Sequence, residues 1–219
     1  MLVNGEKMIS DAVYYHYLNA LLEGDKAECT KIISELIDNN EDIKEIYTKL
    51  FQKSMYRIGY LWEHDRASVA KEHQATKITE SLLNLTYEKI LDTPKINKKV
   101  VITCIDKEFH EIGARIVSDF FELSGWQSIF LGSNTPQNEI VQIIEEEKPD
   151  VVGISNTFYI NVARLIKLAE RIREKFSDQE IIVGGQALNE ETASTLNNFG
   201  KIFYIPTLDV LEKFIKERS

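Results

Sequence analysis

Cysteine is scarce in this chain of 219 residues: there are only two, Cys29 and Cys104, far apart and each in an apolar segment. That excludes a disulfide framework and reads as two ordinary buried thiols in a reducing compartment. Positive charge is also in short supply. Lys and Arg number 26 against 35 Asp and Glu, a formal net charge of −9. A surface with that balance does not neutralise nucleic-acid phosphates or an anionic membrane, so direct nucleic-acid binding and membrane association are set aside. No apolar run approaches the roughly 20 residues that cross a bilayer. Residues 1–10 lack the apolar core of a leader, so the expected location is the cytoplasm. Internal repeats and low-complexity tracts are lacking as well. What is present is 43% hydrophobic and 28% charged residues, enough for one large or two small packed domains of a globular chain.

The first part reads as helices. One spans residues 9–22 and is interrupted at Glu23-Gly24. A second opens on Asp25 with Glu28 three positions later, a capping-box arrangement, and carries Ile32, Ile33, Leu36 and Ile37 on one face before Asn39-Asn40 closes it. A third repeats the spacing through Ile43, Ile46, Tyr47, Leu50, Ile58 and Leu61. A fourth runs from about Ser68 to Leu91, where Thr93-Pro94 stops it. Four antiparallel helices make a bundle, assigned to residues 1–92. His16, on a Tyr-rich helix face, is expected to serve packing.

From Lys98 the pattern changes to short apolar runs alternating with amphipathic helices: 100–105, 128–131, 151–154, 181–183 and 202–205. Such alternation predicts a doubly wound, five-stranded parallel sheet of flavodoxin-like α/β type covered by helices on both faces, over residues 98–219. The acidic run Glu145-Glu146-Glu147 is expected to be the solvated end of a surface helix.

In an open doubly wound sheet, ligands bind beyond the carboxyl ends of the strands, where strand order reverses. Three segments fall there: Glu108-Phe109-His110-Glu111-Ile112-Gly113 after the first strand, Ser155-Asn156-Thr157 after the third, and Gly184-Gly185 after the fourth. Neutral imidazole is a normal transition-metal ligand, and the glycine pair lets a bulky group approach the backbone.

The histidine with a carboxylate two positions before it and a glycine three after resembles the corrinoid-binding signature of cobalamin domains. The turn Phe130-Leu131-Gly132-Ser133-Asn134-Thr135-Pro136 adds to a likeness that extends over residues 98–214. The resemblance implies cobalamin as cofactor, His110 as the lower axial ligand of cobalt, and Glu108 fixing which imidazole nitrogen faces the metal. It implies further cofactor contacts from Gly113, Ser155, Thr157, Gly184 and Gly185, with the benzimidazole tail near the glycine pair. Two positions depart from the family pattern: Glu108 stands where Asp is usual, and Thr157 where the Ser-x-Leu pattern has Leu.

The preceding bundle resembles the cap of such domains. Trp62, nine intervening residues and then Glu72-His73 match a signature of the light-sensing carotenoid-gene repressors, which bind adenosylcobalamin, and their loop also tends to carry Glu before the histidine. This resemblance implies an aromatic lid from Trp62, Glu72 accepting hydrogen bonds from the ribose hydroxyls or adenine amine of the adenosyl group, His73 beside it in the cofactor site, and signalling through bundle packing or oligomerisation when light breaks the cobalt-carbon bond. A His directly after the Trp in those repressors is replaced by Glu63, so His64 is the nearest candidate upper ligand. A DNA-binding domain is not expected ahead of the first helix, which implies a protein partner and a homo-oligomer. The expected function is therefore an adenosylcobalamin sensor rather than an enzyme. The alternative is a corrinoid methyl carrier serving a methyltransferase, with methylcobalamin; a sensor with an additional bilin chromophore is a third reading.

Overall fold

The computed structural model describes residues 9–219; the start of the chain read above as lacking a leader lies mostly outside them. The chain divides into two units, one ending at Asp92 and the other spanning Thr93–Ser219. Among the described residues no helix is long and apolar enough to cross a membrane.

The first unit is helical. Helix α1 (Asp11–Glu23) starts where the Ser10 side chain accepts the Val13 N–H and ends on Gly24, whose φ of 77° supplies the left-handed turn that a helix C-terminus favours. Helix α2 (Lys26–Asp38) follows with Asp25 as its N-cap, accepting the Glu28 N–H at 3.0 Å. Only that half of the capping box forms. The Asp25 N–H is taken by the Ala20 carbonyl in the α1 terminus, and the Glu28 carboxylate turns to His16 at 3.3 Å and Lys31 at 3.6 Å.

The third segment comprises α3 (Ile43–Ile46), a π-helical stretch (Tyr47–Gln52) and α4 (Lys53–Glu63). The wider π turns keep Tyr47, Leu50 and Phe51 all buried. Helix α5 (Val69–Leu83), capped by Ser68, stops short of the expected end and passes through a 3₁₀ turn (Asn84–Thr86) into α6 (Tyr87–Leu91). The cause is Thr86. Its hydroxyl donates to the Leu83 carbonyl at 2.7 Å and accepts the Tyr47 hydroxyl at 2.5 Å, giving the backbone an alternative to the helix ladder. Helix α1 packs on α2, α4 and α5, and α2 on α5, around Tyr17, Leu21, Cys29, Ile33, Ile58 and Ala75, all buried.

The second unit is a parallel sheet in the order β2-β1-β3-β4-β5, with β1 (Lys99–Cys104), β2 (Gln127–Gly132), β3 (Val151–Ser155), β4 (Glu180–Gly184) and β5 (Ile202–Tyr204). Three of these carry consecutive buried residues, mostly Val and Ile, on both faces, as strands covered on both sides must. Between them lie α7 (Ile112–Glu122), α8 (Gln137–Glu147), α9 (Val162–Lys175) and α10 (Glu190–Asn197), and α11 (Leu208–Lys216) follows β5. Val152, Ile154, Ile181, Val183 and Ile202 form one sheet face under α8, α9 and α10. Alternate strand residues face the other side, where α7 packs on β1, β2 and α11. The acidic end of α8 is paired rather than merely solvated, Glu145 with Lys175 at 2.5 Å and Glu147 with Lys99 at 2.8 Å.

Strand order reverses at β1, which has β2 on one side and β3 on the other. The chain leaves β1 towards α7 on one face and β3 towards α9 on the other, opening a crevice at their carboxyl ends.

Candidate functional site

The loop from β1 to α7 enters that crevice and is tied down on both flanks. Lys107 holds a left-handed conformation (φ 67°), which its backbone partners stabilise: its N–H donates to the Asn134 side-chain oxygen at 3.0 Å, and its carbonyl accepts from the Asn161 amide at 3.2 Å. The Asn134 N–H donates to the Glu108 carbonyl at 2.8 Å, and the Ser133 N–H donates to the Glu111 carboxylate at 2.8 Å. Asp106 pairs with Arg164 at 2.8 Å. The loop is thereby set before any ligand arrives, which lowers the ordering cost of binding.

Glu108 is the centre of this arrangement and is fully buried. Its Oε1 accepts from the His110 backbone N–H at 3.0 Å and from His110 Nδ1 at 2.8 Å. Its Oε2 accepts from the backbone N–H groups of Thr157 at 2.8 Å and Phe158 at 3.0 Å, in the loop after β3. Burial alone would raise the carboxyl's pKa, but these four hydrogen bonds outweigh it and hold the group at about 2. The carboxylate is thus ionised at neutral pH. Accepting from Nδ1, it keeps the ring proton on that nitrogen and leaves the lone pair on Nε2.

His110 is 45% exposed, so its ring is open to a ligand. The Phe158 ring meets it edge-on, centroids 4.7 Å apart at 85°. Cys104 lies beneath, 3.6 Å from the His110 carbonyl. Burial, together with the charges of Glu108 and Glu111, pushes its thiol up to about 12.

The other expected residues of this unit gather at the same edge. Ser155 ends β3 opposite Gly184 of β4, and Thr157 contributes the backbone N–H that Glu108 accepts. Gly113, in the first turn of α7, has open space where a Cβ would stand. Gly185 has φ 113° and lies so close to the neighbouring loop that a Cβ would fall 2.2 Å from the Asn156 carbonyl oxygen. Asn156 itself is fully buried with neither amide atom partnered.

In the helical unit, Trp62 is 36% exposed near the end of α4. His64 caps that helix, its Nδ1 2.8 Å from the Tyr60 carbonyl and its ring stacked 4.0 Å from the Tyr60 ring. Glu72 accepts from the Thr76 hydroxyl at 2.9 Å and lies 3.8 Å from Nε2 of the exposed His73.

Sequence reasoning gives no role to three asparagines at this edge, two of them inside motifs it quotes. Asn134 carries a usable signal, a residue tolerant of left-handed backbone within a Gly-Ser-Asn-Thr-Pro turn, and its φ is 51°. Asn161 and Asn156 carry none, because a polar residue at a helix start or strand end is ordinary until its neighbours are known.

Models of the B12 binding domain match both units, one over residues 98–206 and another over residues 14–86. The chain belongs to the B12-binding family. Its cofactor is cobalamin, and the site fits that group: His110 presents a half-exposed imidazole whose Nδ1 is held by Glu108, imidazole is a donor that suits a transition metal, and Gly113 leaves the approach clear.

Among curated relatives of this B12-binding protein, the trimethylamine corrinoid protein of Methanosarcina barkeri is 22% identical over 89% of this chain and 90% of its own length. The HTH-type transcriptional repressor CarA of Myxococcus xanthus is 27% identical, over 41% of this chain and 31% of its length. Among solved structures, the monomethylamine corrinoid protein of Methanosarcina barkeri superposes with a TM-score of 0.84 at 14% identity, over 96% of this chain and all of that one. It shows the same fold, a helical unit before a five-stranded α/β unit.

Proposed function

We propose that this protein is a corrinoid methyl carrier: it holds the cofactor through His110 and presents it to a methyltransferase partner, without being a self-contained enzyme. The observation that carries the reading is extent. Likeness to a corrinoid protein runs through both units and nearly the whole of that relative, whereas likeness to the repressor covers under half of this chain. The preference for the light sensor drawn from Trp62 and Glu72-His73 therefore gives way to its alternative.

When bound, the cofactor supplies a cobalt that accepts and releases an alkyl group. The chain's residues supply the rest. His110 offers Nε2; Glu108 keeps the proton on Nδ1 and, as an anion, raises the imidazole's basicity. Thr157 and Phe158 hold Glu108 through their N–H groups. Ser155, Gly184 and Gly185 line the strand edge where the cofactor's tail would lie, and Gly113 leaves room beside it. Work in the cytoplasm and self-association accord with this reading.

Methylcobalamin-loaded protein, mixed with a methyltransferase encoded beside it, tests the proposal: loss of the methylcobalt absorption with methylation of the acceptor is expected. Absence of exchange with every such partner would overturn it. Light sensing stays as the second reading because of Trp62, Glu72 and His73, with His64 near them. It requires that illuminating the adenosylcobalamin-loaded protein change its spectrum and hydrodynamic radius, and a change in neither ends it.

A further inference from the structure

The carboxylate of Glu108 does two things at once. One oxygen holds His110; the other holds the turn after β3 through the Thr157 and Phe158 amides. An Asp, shorter by one methylene, does not extend as far into that turn. The consequence lies at Phe158. Its backbone is anchored by the same carboxylate that anchors the imidazole, and its ring stands at 85° to the His110 ring with centroids 4.7 Å apart. A hydrogen bond at Nδ1 fixes where that nitrogen lies but leaves the ring free to rock about the Nδ1–oxygen line. A ring packed against it with nearly perpendicular planes opposes that rocking.

We propose that Phe158 is a positioning residue for the cobalt ligand: held in place by Glu108, its ring sets the plane of the His110 imidazole. The inference rests on His110 being the ligand. It concerns the plane of the ring, and so the rotational setting of the imidazole against the corrin, which Glu108 alone does not determine. Phe158 is 40% exposed, so a packing role in the core does not account for its position.

The test compares Phe158→Ala, Phe158→Leu and Phe158→Tyr in the full chain. In cofactor-free protein, NMR relaxation of the His110 ring carbons reads its order. In protein loaded with cob(II)alamin, pulsed EPR reads the coupling to labelled His110 nitrogen. Phe158→Ala is expected to lower ring order, broaden the nitrogen coupling and weaken cob(II)alamin binding by about 2- to 10-fold. Phe158→Tyr should restore all three, whereas Phe158→Leu, which fills space without a flat edge, should not. Amide exchange at Thr157 checks that the turn stays folded in each variant.

Unchanged ring order in Phe158→Ala overturns the proposal, as does equal rescue by Leu and Tyr. If wild-type protein binds cob(II)alamin but shows no His110 nitrogen coupling, the ligand assignment falls instead, and the cofactor-free ring order still decides the role of Phe158.

Discussion

Replacing Glu108 by Gln should remove one contribution to the acid sensitivity of the α/β unit's stability, in one specific window. The wild-type carboxyl has its pKa lowered from 4.5 to about 2 in the folded protein. For a depressed carboxyl, the stabilisation is fully present above the unfolded value and disappears as pH falls through the folded one, here between about 4.5 and 2. That gap corresponds to about 3 kcal/mol. At pH 7, the Glu108→Gln protein forfeits this and turns an amide N–H towards donors that Oε1 or Oε2 now accepts. The variant should therefore be less stable than wild type by about 3 kcal/mol at pH 7, and the difference should shrink towards zero near pH 2. Asp150 and Asp178, whose pKa values are also lowered, are present in both proteins and cancel. The chain's two tryptophans make the assay selective: with Trp62→Phe in both backgrounds, the fluorescence of Trp126, fully buried in the α/β unit, follows urea unfolding of that unit alone. A stability difference that is the same at pH 3 and pH 7 would refute the role given to the four hydrogen bonds.

Other outcomes follow from the same geometry. His110→Ala should abolish the absorption signature of imidazole-bound cobalt and leave the sheet intact; an unchanged cobalamin spectrum removes His110 as ligand. Gly185→Ala places a Cβ 2.2 Å from the Asn156 carbonyl oxygen at a φ of 113°, so it should cost upwards of about 2 kcal/mol and displace the loop, read as a lower thermal midpoint with weaker cobalamin binding. In contrast, Gly153→Ala meets the terminal methyl of Ile102, which can rotate aside, and should cost distinctly less in the same melt. Tyr47→Phe removes the donor to Thr86 Oγ1 and should destabilise the helical unit by about 1 kcal/mol, measured by its own thermal transition.

Much of this is legible in the residues. The switch from a 3.6-residue period to short aliphatic runs separates the helical part from the α/β part, because each period fits only one backbone geometry. Asp25 and Ser68 announce their helix starts as local hydrogen-bond acceptors, whereas the first helix, expected from residue 9, starts at Asp11 because Ser10 caps it. The break after Leu83 is not readable, since it depends on Tyr47, 39 positions from Thr86, reaching that hydroxyl.

Residue order is enough to define the kind of site: a histidine at the carboxyl end of the first strand, a carboxylate two positions earlier and glycines where a bulky cofactor needs space. Those are short-range facts, set by spacing along one loop. The task of the carboxylate emerges only in the folded chain. Strand β3 lies beside β1 and carries the Thr157 and Phe158 amides to Glu108, 49 and 50 positions away in the chain, so that four donors overcome burial and make an anion of it. Pairing of parallel strands across a crossover brings such distant groups together, and no local pattern encodes it.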